Sequence, residues 1–350
     1  MNYAMMPWVR GNGDREIFGL YFDQLLPYME KWQEQHSGPY TDYVELKPYV
    51  DENNVGDYRV LADGTWLRYA DWNVGKTMLR TAPSQKHNVS LEGTSGKTQY
   101  RLSFGYDSRE GLMKYNPDKL QRYMANASIS TQVFDFLRAG ARFNFSDRES
   151  TTPGDLRNTY QYMWRWPAFF ENYGYMTDYS KYPEGKDIPT RSALSYRLAG
   201  GQNKTITTQT RMQAWMDATI IPGLDLYADF TYTLRNQNSD DSRVQYDMWQ
   251  TWSAKGPNLY SPYDQGSTYA AQSNYRDNMW AANIYATYAK TFASDYNLKV
   301  MLGWTAEQEE YKYFYARRSG LVDDALPNIN LTNGNQYQTS GNNWKRATTG

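Results

Sequence analysis

The chain has 350 residues, enough for two or three ordinary domains or one large β-structure, and its net charge is −1. This balance removes the electrostatic case for a nucleic-acid partner. With no cysteine and only two histidines, the chain cannot form disulfides, thiolate metal sites or multi-histidine metal sites. No stretch approaches the roughly 18 apolar residues of a transmembrane helix. Membrane-spanning β-strands are not excluded, because a barrel strand alternates lipid-facing and lumen-facing residues and needs no continuous apolar stretch.

Helical spacing of apolar residues appears near the start of the chain. The segment "FDQLLPYMEKWQEQ" (22–35) predicts a short helix with Pro27 near its first turn. Its apolar side chains share one face: Phe22, Leu25, Leu26, Met29 and Trp32. We interpret residues 1–80 as an early barrel and loop region rather than as a separate domain.

From residue 87 onward, apolar and polar residues alternate along four pairs of segments. Such a period of two is typical of a strand with two different faces, and two such runs joined by a turn predict a hairpin. The pairs are 87–93 with 98–108, 123–131 with 136–146, 212–220 with 224–234, and 279–290 with 298–306. Their turns are expected at 94–97, 133–135, 221–223 and 294–297. The sequence therefore predicts about eight strands.

The two faces of these strands differ in polarity. In "LDLYADFTYTL" (224–234), Leu226 and Phe230 lie on one side and Asp229 on the other. We expect an apolar set to point outward from the sheet: Leu102, Phe104, Ala139, Phe143, Leu226, Phe230, Ile284 and Leu302. A polar set is expected to point inward: Arg101, Arg142, Asp229 and Asn283.

Long segments separate the hairpins, at 109–121, 149–206, 237–276 and from 312 onward. Short turns that alternate with long loops indicate a meander with all the turns at one end. The predicted fold is all-β: an antiparallel transmembrane β-barrel with short periplasmic turns and long extracellular loops. A soluble sandwich is the alternative, although its strands are usually shorter.

Several motifs that carry chemistry elsewhere are incomplete here. "GTSGKT" (93–98) lacks the leading glycine and the following helix of a phosphate loop, and "DENNVGD" (51–57) lacks a late carboxylate for calcium. Asp217, Asp225 and Asp229 share one polar strand face, where a wet lumen is simpler than catalysis. We expect no catalytic residues, no metal site and no cofactor, and hence no enzyme.

Aromatic residues are concentrated in two of the long loops. Exposed rings stack on sugars or on peptide side chains, whereas buried rings would form the loop's own core. We expect a substrate- or partner-binding surface among Trp164, Trp166, Phe169, Phe170, Tyr173, Trp249 and Trp252.

Residues 69–114 resemble the early barrel of SusC/RagA-type TonB-dependent outer-membrane transporters. The resemblance rests on the order of several loose motifs: Asp71-Trp72, His87 to Ser90, the turn Gly93 to Lys97, Tyr100/Ser103/Tyr106 and Glu110-Gly111. Residues 122–146 are similar to the family's next hairpin, with Phe134-Asp135-Phe136 at a turn where the family often has Thr-Asp-Trp.

This resemblance implies active import through the cell outer membrane. The family implies a barrel of about 22 strands filled by a plug domain. It also implies energy coupling to the TonB-ExbB-ExbD complex, contact with outer-membrane lipid, and a SusD-like surface lipoprotein that captures oligosaccharides or peptides. We see no plug or TonB-box pattern in 1–350 and expect further strands after "NNWKRATTG". The chain is thus expected to be an internal barrel fragment.

Two other functions stay open. One is a passive or structural barrel, such as a small complete barrel of about eight strands, which the long loops disfavour. The other is a soluble carbohydrate-binding or hydrolytic β-protein. Whether the substrate is a glycan or a peptide is left open, because aromatic loops suit both.

Overall fold

A computed structural model shows the architecture of most of the chain. It describes residues 16–17, 20–42, 44–165, 168–171, 189–250, 258–292 and 296–350. All structural statements below concern these residues.

The first elements form a compact region ahead of the main sheet. Two short strands, β1 (Glu16–Ile17) and β2 (Leu20–Tyr21), pair with each other and lead into helix α1 (Phe22–Gln35). The hairpin β3 (Tyr58–Val60) and β4 (Trp66–Arg68) follows, and then helix α2 (Val74–Met78).

Helix α1 confirms the helix predicted from the spacing of apolar residues. Leu25, Met29 and Trp32 are buried along one of its faces. Pro27 lies inside the helix about one turn after its start, which agrees with the predicted position near the first turn. A proline there removes one backbone hydrogen bond, and the buried apolar face holds the helix together despite this loss.

Nine strands then form one antiparallel sheet, in the order β15-β14-β13-β10-β9-β8-β7-β6-β5. Apart from the short pair β11 and β12, sequence neighbours are also neighbours in the sheet, so the topology is a meander. The strands are β5 (Ser84–Ser95), β6 (Thr98–Glu110), β7 (Lys119–Phe134), β8 (Leu137–Pro153), β9 (Gln202–Ile221), β10 (Leu224–Arg243), β13 (Tyr269–Phe292), β14 (Tyr296–Ser319) and β15 (Tyr337–Thr349). The predicted antiparallel all-β meander is confirmed.

The longer connections contain short elements of their own. Between β8 and β9 lie helices α3 (Leu156–Arg165) and α4 (Ala193–Ala199). Between β10 and β13 lie β11 (Met248–Gln250), which pairs with β12 (Asn258–Tyr260), and the 3-10 turn Gln265–Ser267. A second 3-10 turn, Ile329–Leu331, precedes β15.

Turns and connections lie at opposite ends of the meander. The strands pair at 95–98 and 221–224 across tight turns in which Gly96 (φ 58°) and Gly223 (φ 87°) are left-handed, as glycine allows. The turn expected at 133–135 falls instead between Phe134 and Leu137, because Val133 and Phe134 stay in the strand. The fourth turn includes residues 293–295, outside the described part. We call this edge the turn end and the opposite edge the loop end.

Most strands extend further toward the loop end than predicted. The loops expected at 149–206 and 237–276 begin only after Pro153 and Arg243, and β14 continues to Ser319. A ninth strand, β15, was not predicted. In these extensions polar residues occupy both faces, so the sequence does not alternate and the strands were not predicted there. They form nonetheless, because hydrogen bonds between strands need only the backbone.

Buried apolar side chains lie almost entirely outside the sheet. Among the described residues, the sheet strands contribute only alanines to the buried hydrophobic set: Ala218, Ala270, Ala271 and Ala306. All larger buried hydrophobic residues lie in the loop region, which we define as the described residues of 20–83, 111–118, 154–201, 244–268 and 320–336. The core therefore sits at the loop end and not against either face of the sheet.

The apolar sheet face is uncovered. Phe104 is 63% exposed, Phe230 49% and Leu302 76%, and the other large members of the predicted outward set are exposed or half-buried. The apolar set is thus not packed inside a closed core. None of the helices in the described part of the chain is long and apolar enough to cross a membrane.

Candidate functional site

The loop region is built around one main cluster of buried side chains. It joins α1, through Leu25, Met29 and Trp32, to Tyr69 near β4 and to Phe169 in the connection after β8. The indole N–H of Trp32 donates to Asp57 Oδ1 at 2.9 Å, so this polar atom is satisfied inside the cluster. Segments far apart in the sequence therefore share one core at the loop end.

The predicted binding aromatics divide into exposed and buried residues. Trp164, in α3, is 78% exposed, which leaves its ring free for a partner or substrate. Phe169 and Phe170 are each 1% exposed and belong to the main cluster. Trp166, Tyr173 and Trp252 lie outside the described residues.

Trp249 is buried in a second small cluster. It is 3% exposed and packs with Trp66 of β4. Its backbone is held on both sides, because Trp249 N–H donates to Pro189 O at 2.9 Å and Arg191 N–H donates to Trp249 O at 2.8 Å. In this structure Phe169, Phe170 and Trp249 tie the connections together, while Trp164 presents a surface.

A second aromatic group surrounds the guanidinium of Arg191. Its carbon lies 3.5 Å from the ring centroid of Tyr260 and 5.1 Å from that of Tyr162. Its Nε donates to the Tyr196 hydroxyl at 2.8 Å, and Nη1 donates to Gln250 Oε1 at 2.7 Å. Cation–π and hydrogen-bond contacts of this kind lock α3, α4 and the β11–β12 pair to one another.

The half-buried carboxylate of Asp155 lies beside this group. The Tyr246 hydroxyl donates to Asp155 Oδ2 at 2.6 Å, and burial, followed by this bond, raises the pKa of Tyr246. Burial together with the Asp155 charge raises the pKa of Tyr263 to about 12. Both phenols therefore remain protonated at neutral pH and act as hydrogen-bond donors.

Two further arginines are buried in the loop region. Arg68 contacts Glu171 in an ion pair whose side chains are 5% and 2% exposed. Arg197, with a side chain 0% exposed, donates to Asp118 Oδ1 at 2.9 Å and to the Tyr115 carbonyl at 3.1 Å. Each pair joins segments that are distant in sequence, so these contacts connect the parts of the loop region to one another.

The polar sheet face carries hydrogen-bond networks rather than paired carboxylates. Asp229 accepts from Asn283 at 3.2 Å and from Gln213 at 3.4 Å, and Asp225 accepts from Thr219 at 2.8 Å. No described contact joins Asp217, Asp225 and Asp229 to one another. The arrangement matches a hydrated surface and contains no acid–base pair.

On the same face, Trp215 lies flat against the neighbouring strand. A Cβ built on Gly140 would stand 2.7 Å from the indole ring, so only glycine allows this approach. Arg138 and Arg142 flank the ring, with guanidinium carbons 5.7 Å and 5.9 Å from its centroid. Sequence reasoning missed this platform, although a glycine between two arginines in a strand is a usable signal.

No metal site emerges from the described residues. None of their His, Asp and Glu side chains form a group of three or more that could hold an ion. "GTSGKT" forms the hairpin turn between β5 and β6, and Asp51 caps a turn by accepting from the N–H groups of Asn53 and Asn54.

Comparison with solved structures finds a similar fold. The chain is similar to the RagAB peptide transporter with a TM-score of 0.61 and 18% identity, over 93% of this chain and 34% of that one. The RagAB peptide importer in the 'open-open' state gives 0.61 and 19% identity, over 79% of this chain and 30% of that one. In the 'closed-closed' state it gives 0.61 and 17%, over 92% and 34%.

These comparisons define what is shared. The chain spans about a third of the length of these structures, and the likeness is one of fold. No family model and no curated protein matches the chain. The antiparallel β fold expected from the sequence resemblance is thereby confirmed.

Proposed function

We propose that this chain is part of the barrel of an outer-membrane transporter that imports oligosaccharides or peptides. The main observation that supports this proposal is the nine-stranded antiparallel meander. Its apolar face is uncovered, and the buried core lies beyond one end of the sheet. A soluble sandwich would cover that face with a second sheet. In the proposed barrel, membrane lipid covers this apolar face instead.

The distribution of polarity along the strands supports a membrane band. In β10, alternation ends near Leu234, and the following residues 235–243 are polar on both faces. A tilted strand crosses the hydrocarbon core with about 10 residues, and β10 has 20. The turn-side half of the sheet thus suits lipid, and the loop-side half extends into water.

Both edge strands carry unpaired backbone groups. Nearly every residue of β5 and all of β15 are exposed. Unpaired N–H and C=O groups in lipid cost several kcal/mol each, so the proposed barrel needs one strand beside β5 and another beside residues 296–304 of β14, which β15 does not reach. A plug inside the barrel and coupling to TonB-ExbB-ExbD belong to this proposal.

The loop region supplies the proposed recognition surface. It has its own buried core at one end of the proposed barrel, and it exposes Trp164 while burying the other described aromatics of the predicted set. A SusD-like surface lipoprotein is the proposed partner at this end. The similar structures carry the name of a peptide transporter, which supports a transport function without deciding between glycan and peptide here.

Sidedness provides a direct test, since the chain has no cysteine. In intact cells that produce the complete protein, Val322→Cys at the loop end should react with a membrane-impermeant maleimide. Asp135→Cys at the turn end should react only after permeabilisation. Reaction of both residues in intact cells, or recovery of the protein in the soluble fraction, contradicts the proposal. A passive barrel would pass the labelling test but would transport without an energised inner membrane.

The recognition surface is tested separately with Trp164→Ala and Trp166→Ala. We expect reduced ligand uptake and reduced co-purification of the lipoprotein. Leu326→Ala, which removes a 59% exposed apolar side chain from another connection, is the control. Wild-type uptake and co-purification in the tryptophan variants would remove this surface from the proposal.

A further inference from the structure

A groove of about 440 Å³ separates helix α1 from the β3–β4 hairpin. This volume is in the usual range for small-ligand sites. One wall is a single helix face with residues three or four positions apart: Gln24, Pro27, Tyr28 and Lys31. The other side consists of Tyr49, Glu52, Arg59, Leu61 and Leu67. None of these residues belongs to the predicted aromatic set.

The guanidinium of Arg59 lies between two tyrosine rings. Its carbon is 4.5 Å from the ring centroid of Tyr49 and 5.3 Å from that of Tyr28. It also donates to the Tyr28 hydroxyl. Tyr28 is itself held by Tyr69, whose ring stacks on it at 5.3 Å. Arg59 is therefore fixed in position before any ligand binds.

Arg59 is half-buried and has no carboxylate partner in the described part of the chain. Glu52, the acidic residue of the groove, pairs with Lys31 at 3.1 Å. Burying a guanidinium without an anion is costly, and the two tyrosine rings offset only part of this cost. An anionic group that enters the groove would complete the contacts of Arg59.

The balance of charge selects the kind of anion. Two cations and one carboxylate line the groove, so it carries one net positive charge. A monoanion neutralises this charge, whereas a phosphate dianion would exceed it and meet Glu52. The planar fork of arginine also matches a carboxylate in a bidentate contact.

Apart from Gln24, the remaining lining is apolar or aromatic. Pro27 and Leu61, together with the tyrosine rings, offer a surface for an aliphatic side chain beside the carboxylate, with the buried Leu67 behind them. We propose that this groove binds the terminal carboxylate of a short peptide that ends in an apolar residue. The inference rests on the proposed transport function and assigns peptides as its substrate class.

The test compares ligands that differ in one group. The probes are N-acetyl-Ala-Ala-Leu as the free acid, the same peptide as its amide, and N-acetyl-Ala-Glu-Leu-amide, which carries a side-chain carboxylate only. Binding to the complete protein in detergent is measured by calorimetry. We expect the free acid to bind at least about tenfold more tightly than either amide, which corresponds to about 1.4 kcal/mol.

Variants assign that preference to Arg59. Arg59→Gln should bring the acid-to-amide ratio close to one, and Arg59→Lys should restore part of it. Lys47→Gln removes an exposed cation of the same region outside the groove and should leave the ratio unchanged. The preference for the free acid over the amide is measured on the wild-type protein. The proposal can therefore be tested even if Arg59→Gln does not fold.

Several results overturn the proposal. Equal binding of acid and amide by the wild type does so, as does a preference that persists in Arg59→Gln. If the peptide with the side-chain carboxylate binds more tightly than the free acid, the groove recognises a side chain and not a C-terminus. If glucuronic acid binds in a manner that depends on Arg59, the groove recognises a sugar carboxylate. Failure of the transport proposal is distinguishable, because the labelling of Val322→Cys and Asp135→Cys does not depend on Arg59.

Discussion

In the loop region Trp32 and Phe169 are each 1% exposed, whereas in the sheet Phe104 and Leu302 are 63% and 76% exposed. The two regions are made of similar apolar residues, yet only one buries them within this chain. The loop region has its own core of buried apolar side chains. The sheet has two uncovered faces, so its stability depends on what surrounds it. The four predictions that follow test this contrast, from the largest expected effect to the smallest.

The largest effect is expected at the buried ion pair of the loop region. Glu171→Gln leaves the Arg68 side chain, only 5% exposed, with an uncompensated buried charge. We expect the free energy of unfolding of this region to fall by about 3–5 kcal/mol. Urea titration followed by limited proteolysis measures it.

The matched variant replaces both charges at once. Arg68→Met combined with Glu171→Leu removes both charges of the pair, so part of the loss should be recovered. If the double variant is as unstable as Glu171→Gln alone, the cost arises from packing rather than from charge.

A charge on the apolar sheet face tests the opposite region. Ile129→Arg places a cation on the face proposed to meet lipid and should destabilise the vesicle-embedded protein by about 2–4 kcal/mol. Asn126→Arg, on the polar face of the same strand β7, should cost far less. Unfolding in lipid vesicles measures both, and equal costs would contradict the assignment of faces.

A smaller effect is expected on the polar sheet face. Gly140→Ala places a methyl group 2.7 Å from both the Trp215 indole and the backbone carbonyl oxygen of Ile129, and should cost about 1–3 kcal/mol. Gly303→Ala is the control, because its Cβ would meet Tyr285 Cβ at an ordinary 3.5 Å. Its effect should stay within about 0.5 kcal/mol. If Gly140→Ala is as stable as Gly303→Ala, the close approach of Trp215 does not depend on glycine at position 140.

The smallest effect concerns pH in the loop region. Burial raises the pKa of Asp71, so its ionised form is disfavoured in the folded state. The cost is fully present above the raised folded pKa and disappears below the unfolded pKa of about 4. Asp71→Asn should therefore be more stable than the wild type at pH 7 and lose this advantage as the pH falls.

The effect of replacing Asp42 should depend on pH in the opposite direction. A hydrogen bond from Lys114 lowers the pKa of Asp42, so its contribution is present at neutral pH and is lost as the pH falls through the folded value. Asp42→Asn should be less stable than the wild type at pH 7 and equal to it in acid. A shared pH trend in the two variants would indicate a global effect instead.

Alternation and turn residues allowed much of the sheet to be predicted from the sequence. The period of two in β10 assigned Leu226 and Asp229 to opposite faces, and Pro222-Gly223 marked the turn before it. These features are local, since strand pleating sends successive side chains to opposite faces whatever the rest of the chain does. The helical spacing of 22–35 identified α1 for the same reason.

Other features were decided only by the tertiary structure. Residues 235–243 show no alternation, and they remain a strand because β13 and β9 supply backbone partners on both sides. The surroundings of Arg191 come from Tyr162, Tyr196 and Tyr260, and the Arg59 groove joins a helix to a hairpin. Sequence spacing cannot reveal such groups, because their members are brought together by long-range packing and not by a local repeat.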